Sequence, residues 1–206
     1  MNTPYIYEDA GLAALNTLKA NITKVYLVKD LGSTNDFSTI TGSLAIANDM
    51  ITAGDMSIQD VDGLSNLVIS GKNDLTKTGK SDKWHTGNAS AGTPSTITEA
   101  GAGWVVDTYI RKVVHIASGT GIGQSAKVIS NTSDTLTFEA NAFQISPDDS
   151  SVFELYDDLS VVYTNGTKVL LAVDESTDKA VSAAVEDTVS IGAANVPVPI
   201  VQDKEV

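Results

Sequence analysis

Between Val113 and Phe138 the chain leaves room for little besides short strands and tight turns. Val113-Val-His-Ile116 is an apolar run of β-formers, and Ser118-Gly-Thr-Gly-Ile-Gly123 follows it with three glycines at alternate positions. Glycine supplies backbone conformations that other residues avoid, so this spacing predicts a turn joining two strands. Ala126-Lys-Val-Ile129 reads as the return strand, Asn131-Thr-Ser-Asp134 as a second turn, and Leu136-Thr-Phe138 as a third strand. A chain that spends its most distinctive residues on turns is expected to serve as a shape, through binding or support, before it serves as a catalyst.

The flanks extend the same reading. Residues 8–20 predict the one clear helix, with Leu12, Leu15 and Leu18 near a spacing of three. Glu8 and Asp9 suit the positive end of its dipole and Lys19 the negative end. Lys24–Val28 predicts a strand, 30–55 a loop-rich segment with a short helix at 43–50, and Met56–Ile58 and Asn66–Ile69 two strands turning at Asp62-Gly63. Residues 71–103, rich in Gly, Ser, Thr, Asn and Lys, predict a linker or long surface loop, and Trp104–Val106 the opening of a strand. Ser151–Tyr156 alternates as a strand should, and Asp157-Asp158 reads as a boundary.

From Ser160 plain hairpins take over. Val161–Tyr163 leads through Asn165-Gly166, the strongest hairpin signal present, into Lys168–Val173. A turn at 174–179, strands at 180–184 and 188–191, and an edge strand Pro197–Val201 complete the pattern. The expected fold class is all-β with a short N-terminal helix. A β-sandwich or barrel-like base domain, expected to make the contact with any larger particle, is read from residues 1–85 together with 159–206, and a small inserted β domain from 86–158.

Chemistry is sparse. The chain has no cysteine, so disulfides, thiolate metal sites and a cysteine nucleophile are excluded. The Gly119–Gly123 run is followed by a strand pattern, whereas a phosphate-binding glycine loop opens a helix. His85 and His115, the only histidines, are poor material for zinc, and no Gly-x-Ser-x-Gly sequence occurs. The acidic pairs Asp148-Asp149, Asp157-Asp158, Asp174-Glu175 and Glu186-Asp187 fall at predicted turns, where aspartate is favoured locally. Calcium binding or glycoside hydrolysis by such pairs is the sharper alternative. No catalytic residue, cofactor or metal ligand is therefore assigned, and an enzyme is not expected.

A net charge of −13 argues against a nucleic-acid partner. No apolar run reaches membrane-span length, and the acidic N-terminus does not resemble a signal peptide, so synthesis in a cytoplasm is expected. Basic residues concentrate in 72–127, where Lys72, Lys77, Lys80, Lys83, Arg111, Lys112 and Lys127 outnumber Asp74, Asp82, Glu99 and Asp107. That segment is either a solvated loop or a surface for an acidic partner or a second copy. Trp104 is expected in a core, whereas Trp84 lies in polar surroundings that suit a contact. Trp84, Lys72, Lys77, Lys80, Lys83, Leu12 and Leu15 are the candidate interface residues.

Trp104, Tyr109, Val114 to Gln124, Ile129 to Thr132, Leu136 to Phe138, Pro147-Asp148 and Ser151 to Glu154 together resemble a small β module recurrent in virion proteins of tailed bacteriophages. The N-terminal helix with Asn21–Leu27, and Asn165–Val173 through Ile191, resemble β-rich structural proteins encoded among phage head genes. The resemblance implies a capsid decoration (cement, or head auxiliary) protein on the outer surface of the virion head. Its implied partner is the major capsid protein, and a homo-oligomer such as a trimer is implied as well. A tail or fibre component contacting host glycans or a receptor is the alternative, because the glycine-turn module also occurs there.

Overall fold

A computed structural model describes residues 8–29, 31–32, 34, 36–61, 64–174 and 189–197. Strands account for 48% of the chain and helices for 13%, which makes the fold all-β with a short N-terminal helix. The predicted Asp62-Gly63 turn, most of the turn at 174–179, the strand at 180–184 and most of 197–201 lie outside the described residues.

Helix α1 (Glu8–Asn21) buries the stripe Gly11, Leu15 and Leu18 and continues to Ile22. Steps of four, three and four residues follow the helical period, so Leu12 falls off the buried face. Burying Leu15 and Ile22 contributes roughly 1.5–3 kcal/mol each. The helix packs on β3 (Met56–Val61) and β4 (Leu64–Ile69). β1 (Lys24–Lys29) and β2 (Ala45–Met50) pair antiparallel in the same lobe. The helical turns expected at 43–50 occupy 37–44 instead, capped by Asp36, and Ala45–Met50 is strand.

The supposed linker 71–103 is largely strand: β5 (Lys72–Lys77), β6 (Lys83–Asn88), β7 (Ala91–Thr93) and β8 (Thr96–Thr98). After it come β9 (Val113–Ser118), β10 (Ser125–Asn131), β11 (Thr135–Phe138) and β12 (Val152–Tyr156). The last described strands are β13 (Leu159–Thr164), β14 (Val169–Asp174), β15 (Val189–Ile191) and β16 (Ala194–Pro197). Trp104–Val106, expected as a strand, is irregular.

Three sheets result. A six-stranded sheet has the order β14-β13-β1-β2-β5-β15, and a three-stranded sheet the order β16-β4-β3. They enclose one core with Val25, Leu27, Ile46, Leu67, Ile69, Leu75 and Tyr163. The opposite face of β1 carries Tyr26 and Val28 against Ile40 and Ala45. β13 is therefore buried at every position, as a strand covered on both faces must be.

The seven-stranded sheet β6-β12-β9-β10-β11-β8-β7 draws all its strands from residues 83–156. Its edge strands β6 and β7 are consecutive in the chain, with only residues 89–90 between them. Such a short link forces the sheet to curl until its edges approach. β10 enables the curl by pairing with β9 through Ser125–Lys127 and with β11 through Val128–Asn131, where the register shifts between Val128 and Ser130. Ile97, Val114, Ile116, Leu136, Phe138, Phe143 and Phe153 fill the inside, and Trp104 from the irregular segment joins them.

Candidate functional site

The chain passes between the two core-forming lobes after β5 and again between β12 and β13, and charged side chains converge there. At the return crossing the Asp157 amide donates to the Asp82 carbonyl at 2.8 Å. Asp157, 3% exposed, receives Lys112 from the start of β9, itself 8% exposed. Lys29 of β1 lies 3.8 Å from the other Asp157 oxygen and donates to the Ser81 carbonyl at 2.8 Å. Asp158 takes Arg111 through Nε at 2.9 Å and a terminal nitrogen at 2.7 Å, and Lys127 at 2.8 Å. Arg111 holds a left-handed backbone, φ 74°, that a side chain tolerates poorly, and this presents it and Lys112 to the adjacent aspartates. The Asp157-Asp158 pair, expected as a solvated boundary turn, is thus a buried hub that receives cations from both lobes.

An aromatic file leads from this hub into the module core. The register of β6 against β12 slips at Trp84, which has no ladder partner of its own. Its ring meets Tyr109 edge-on, Tyr109 meets Trp104, and Trp104 meets His85 and Phe153. Lys112 Nζ sits 4.9 Å from the Trp84 ring centroid. Trp84 remains 57% exposed, as its polar surroundings suggested, and Trp104 is buried.

The other candidate interface residues fare differently. Leu15 and Lys77 are buried and do not reach the surface, whereas Leu12 is exposed. Lys72 lies 3.3 Å from both Asp49 and Asp55, Lys83 lies 3.1 Å from Glu154, and Lys80 donates to the Gly42 carbonyl. With Arg111, Lys112 and Lys127 held by the hub, most of the basic excess of 72–127 is spent on contacts within the chain.

Each histidine has a polar neighbour. His85 Nε2 is 2.7 Å from Glu99, above Gly87, where a Cβ would strike Glu99, Phe153 and His85. His115 Nδ1 is 2.9 Å from Ser125 Oγ, and strand register aligns Ser125, His115 and Glu154 across β10, β9 and β12. Glu154, however, receives the Tyr156 hydroxyl and Lys83. The Tyr156 hydrogen bond, followed by Lys83, holds the Glu154 carboxyl below its usual range despite partial burial. Among the described residues no group of three His, Asp or Glu could hold a metal ion. Nor is any helix among them long and apolar enough to cross a membrane.

The glycine turn is braced from within. Gly119, Gly121 and Gly123 all have positive φ, and Ser150 and Ser151 bond Thr120. Gln124 donates to the Gly121 and Ile145 carbonyls and accepts from the Gln144 and Ile145 amides. This leaves Ile122 and Ile145 exposed at the end of the sheet away from the hub. Buried Asn131 fixes the irregular segment by donating to the Val105 carbonyl and accepting from the Tyr109 amide. Val105, Val106 and Ile110 are exposed along that segment, and Ile110 lines an open hollow of ≈460 Å³ with Ala142 and the exposed Ile129 of β10.

Sequence reasoning missed Asp157, Asp158 and Lys29 as participants. Two consecutive acids at a change of hairpin style, with Arg111-Lys112 at a strand start, are the only local signals for the hub. Comparison with known proteins returned no match among family models, curated proteins or solved structures.

Proposed function

We propose that this chain is a structural component of a tailed-bacteriophage particle, a capsid decoration protein that binds the outer head shell and braces its lattice. One observation carries the reading of an assembly surface. Of the nine exposed large apolar side chains among the described residues, seven lie on the module, from Trp84 to Ile145. Solvent-exposed apolar groups gathered on one lobe favour a protein contact there. The proposed contact with the shell accordingly moves from the base to the module. Repetition over a lattice converts a modest contact of this kind into high avidity. The phage assignment itself rests on the resemblance of the glycine-turn module and its flanks.

Cosedimentation with shells lacking this protein tests the reading. Ile110→Asp combined with Ile129→Asp is expected to abolish binding at least tenfold while leaving the circular dichroism spectrum intact. Undiminished binding by the folded double variant contradicts a contact through this face. A tail or fibre role toward host glycans has one observation in its favour, the exposed Trp84 ring. Under that reading Trp84→Ala abolishes adsorption to cells and leaves head stability unchanged.

A further inference from the structure

We propose that Lys112 and Asp157 condense after folding into an intramolecular isopeptide bond. The two groups are in contact, and their side chains are 8% and 3% exposed. They sit at the matched ends of paired strands, since Val113 of β9 faces Tyr156 of β12. Folding therefore supplies the proximity and orientation that an amine and a carboxyl lack in water. Trp84 covers the amine, and Asp82, a second carboxyl with no exposure, is bonded through its backbone to Asp157.

The chemistry closes without a co-reactant. Condensation requires the contacting pair to pass one proton from the ammonium to the carboxylate, which gives a neutral amine beside a carboxylic acid. The Lys112 Nζ lone pair attacks Asp157 Cγ, and negative charge develops on the oxygen that faces Lys29 at 3.8 Å. That attack forms the C–N bond; collapse of the tetrahedral intermediate then breaks one C–O bond, and the departing oxygen leaves with two protons as water. Nothing is oxidised or reduced. The Asp157 carboxyl takes up the ammonium proton, and a second proton from the amine passes to the departing oxygen.

Neighbouring pairs do not meet the same conditions. Lys127, beside Asp158, is 42% exposed and stays hydrated, and the Arg111 guanidinium is not a nucleophile. The bond would tie the entry of β9 to the exit of β12, closing residues 112–157 into a covalent ring at the hub.

Intact-mass spectrometry of the full chain, kept folded at neutral pH, tests the proposal. The expected mass is one water below that of the sequence, and digestion should yield a branched peptide joining Lys112 to Asp157 with no tryptic cut after Lys112. Lys112→Arg, which keeps the cation, should retain its full sequence mass. Asp157→Asn should form the same bond with loss of one ammonia. Full sequence mass after prolonged incubation of the folded chain overturns the proposal. So does a water loss that persists in Lys112→Arg, which would place the dehydration elsewhere, as at Asp62-Gly63. If Lys112→Arg fails to fold, the branched peptide from the unaltered chain decides the question by its presence or absence.

Discussion

Gly119 and Gly123 share a backbone conformation, φ 80° and 86°, but not a neighbourhood. A Cβ on Gly119 would lie 2.0 Å from the Ser150 carbonyl oxygen, whereas one on Gly123 would meet nothing within 4 Å. Gly123→Ala should therefore carry only the left-handed backbone penalty, about 1–2 kcal/mol. Gly119→Ala adds a collision with backbone and should cost ~3 kcal/mol or more. Urea unfolding of the two variants checks the difference, and equal losses would contradict the described turn. The glycine turn was legible because turn chemistry is local. The role of Asp157 was not, because Lys112 and Lys29 come to it from distant parts of the sequence, and the pairing of β9 with β12 that aligns Lys112 has no local signal.

β12 carries a pH dependence of its own through Glu154 and Tyr156. Glu154 has a folded pKa below its ordinary value, so its contribution is present above about pH 4.3 and is lost as pH falls through the lowered value. Burial, then the Glu154 hydrogen bond and charge, raise the Tyr156 phenol above its ordinary value. That contribution is complete below about pH 10 and is lost as pH rises from there toward the raised value. Tyr156→Phe should flatten both limbs of a plot of urea midpoint against pH, and a profile with unchanged limbs would refute the coupling.

Strands were legible wherever apolar alternation was strong, as in β9 to β12. They were missed in β6, Lys-Trp-His-Thr-Gly-Asn, where polar residues and a glycine carry little intrinsic β preference. Pairing with β12 makes that segment a strand, a case of tertiary context overriding propensity. The same override operates at Ala45–Met50, whose register against β1 outweighs the helical composition around it. The Asn165-Gly166 signal located its hairpin correctly. The observed loop runs over 165–168, with the Asn165 side chain accepting from the Thr167 and Lys168 amides.

At the scale of the molecule, two separate hydrophobic clusters meet through an ionic hub. Asp158 binds Arg111 and Lys127 of the module, but both cations are partly exposed, so removing the carboxylate should cost only about 1–2 kcal/mol. The larger effect expected of Asp158→Ala is on cooperativity. Calorimetry should resolve two transitions where the unaltered chain gives one, and a single unshifted transition would show that the hub does not couple the lobes. Charge density along the sequence suggested either a solvated loop or a basic docking surface. The structure engages most of those cations in contacts within the chain and leaves seven large apolar side chains exposed on the module.

The central proposal, a lattice-binding structural role, is tested most directly by the number of copies of this chain relative to the major capsid protein in purified particles. Quantitative mass spectrometry should find hundreds of copies per particle, removable without loss of the head shell. A handful of copies per particle, or none, would contradict it.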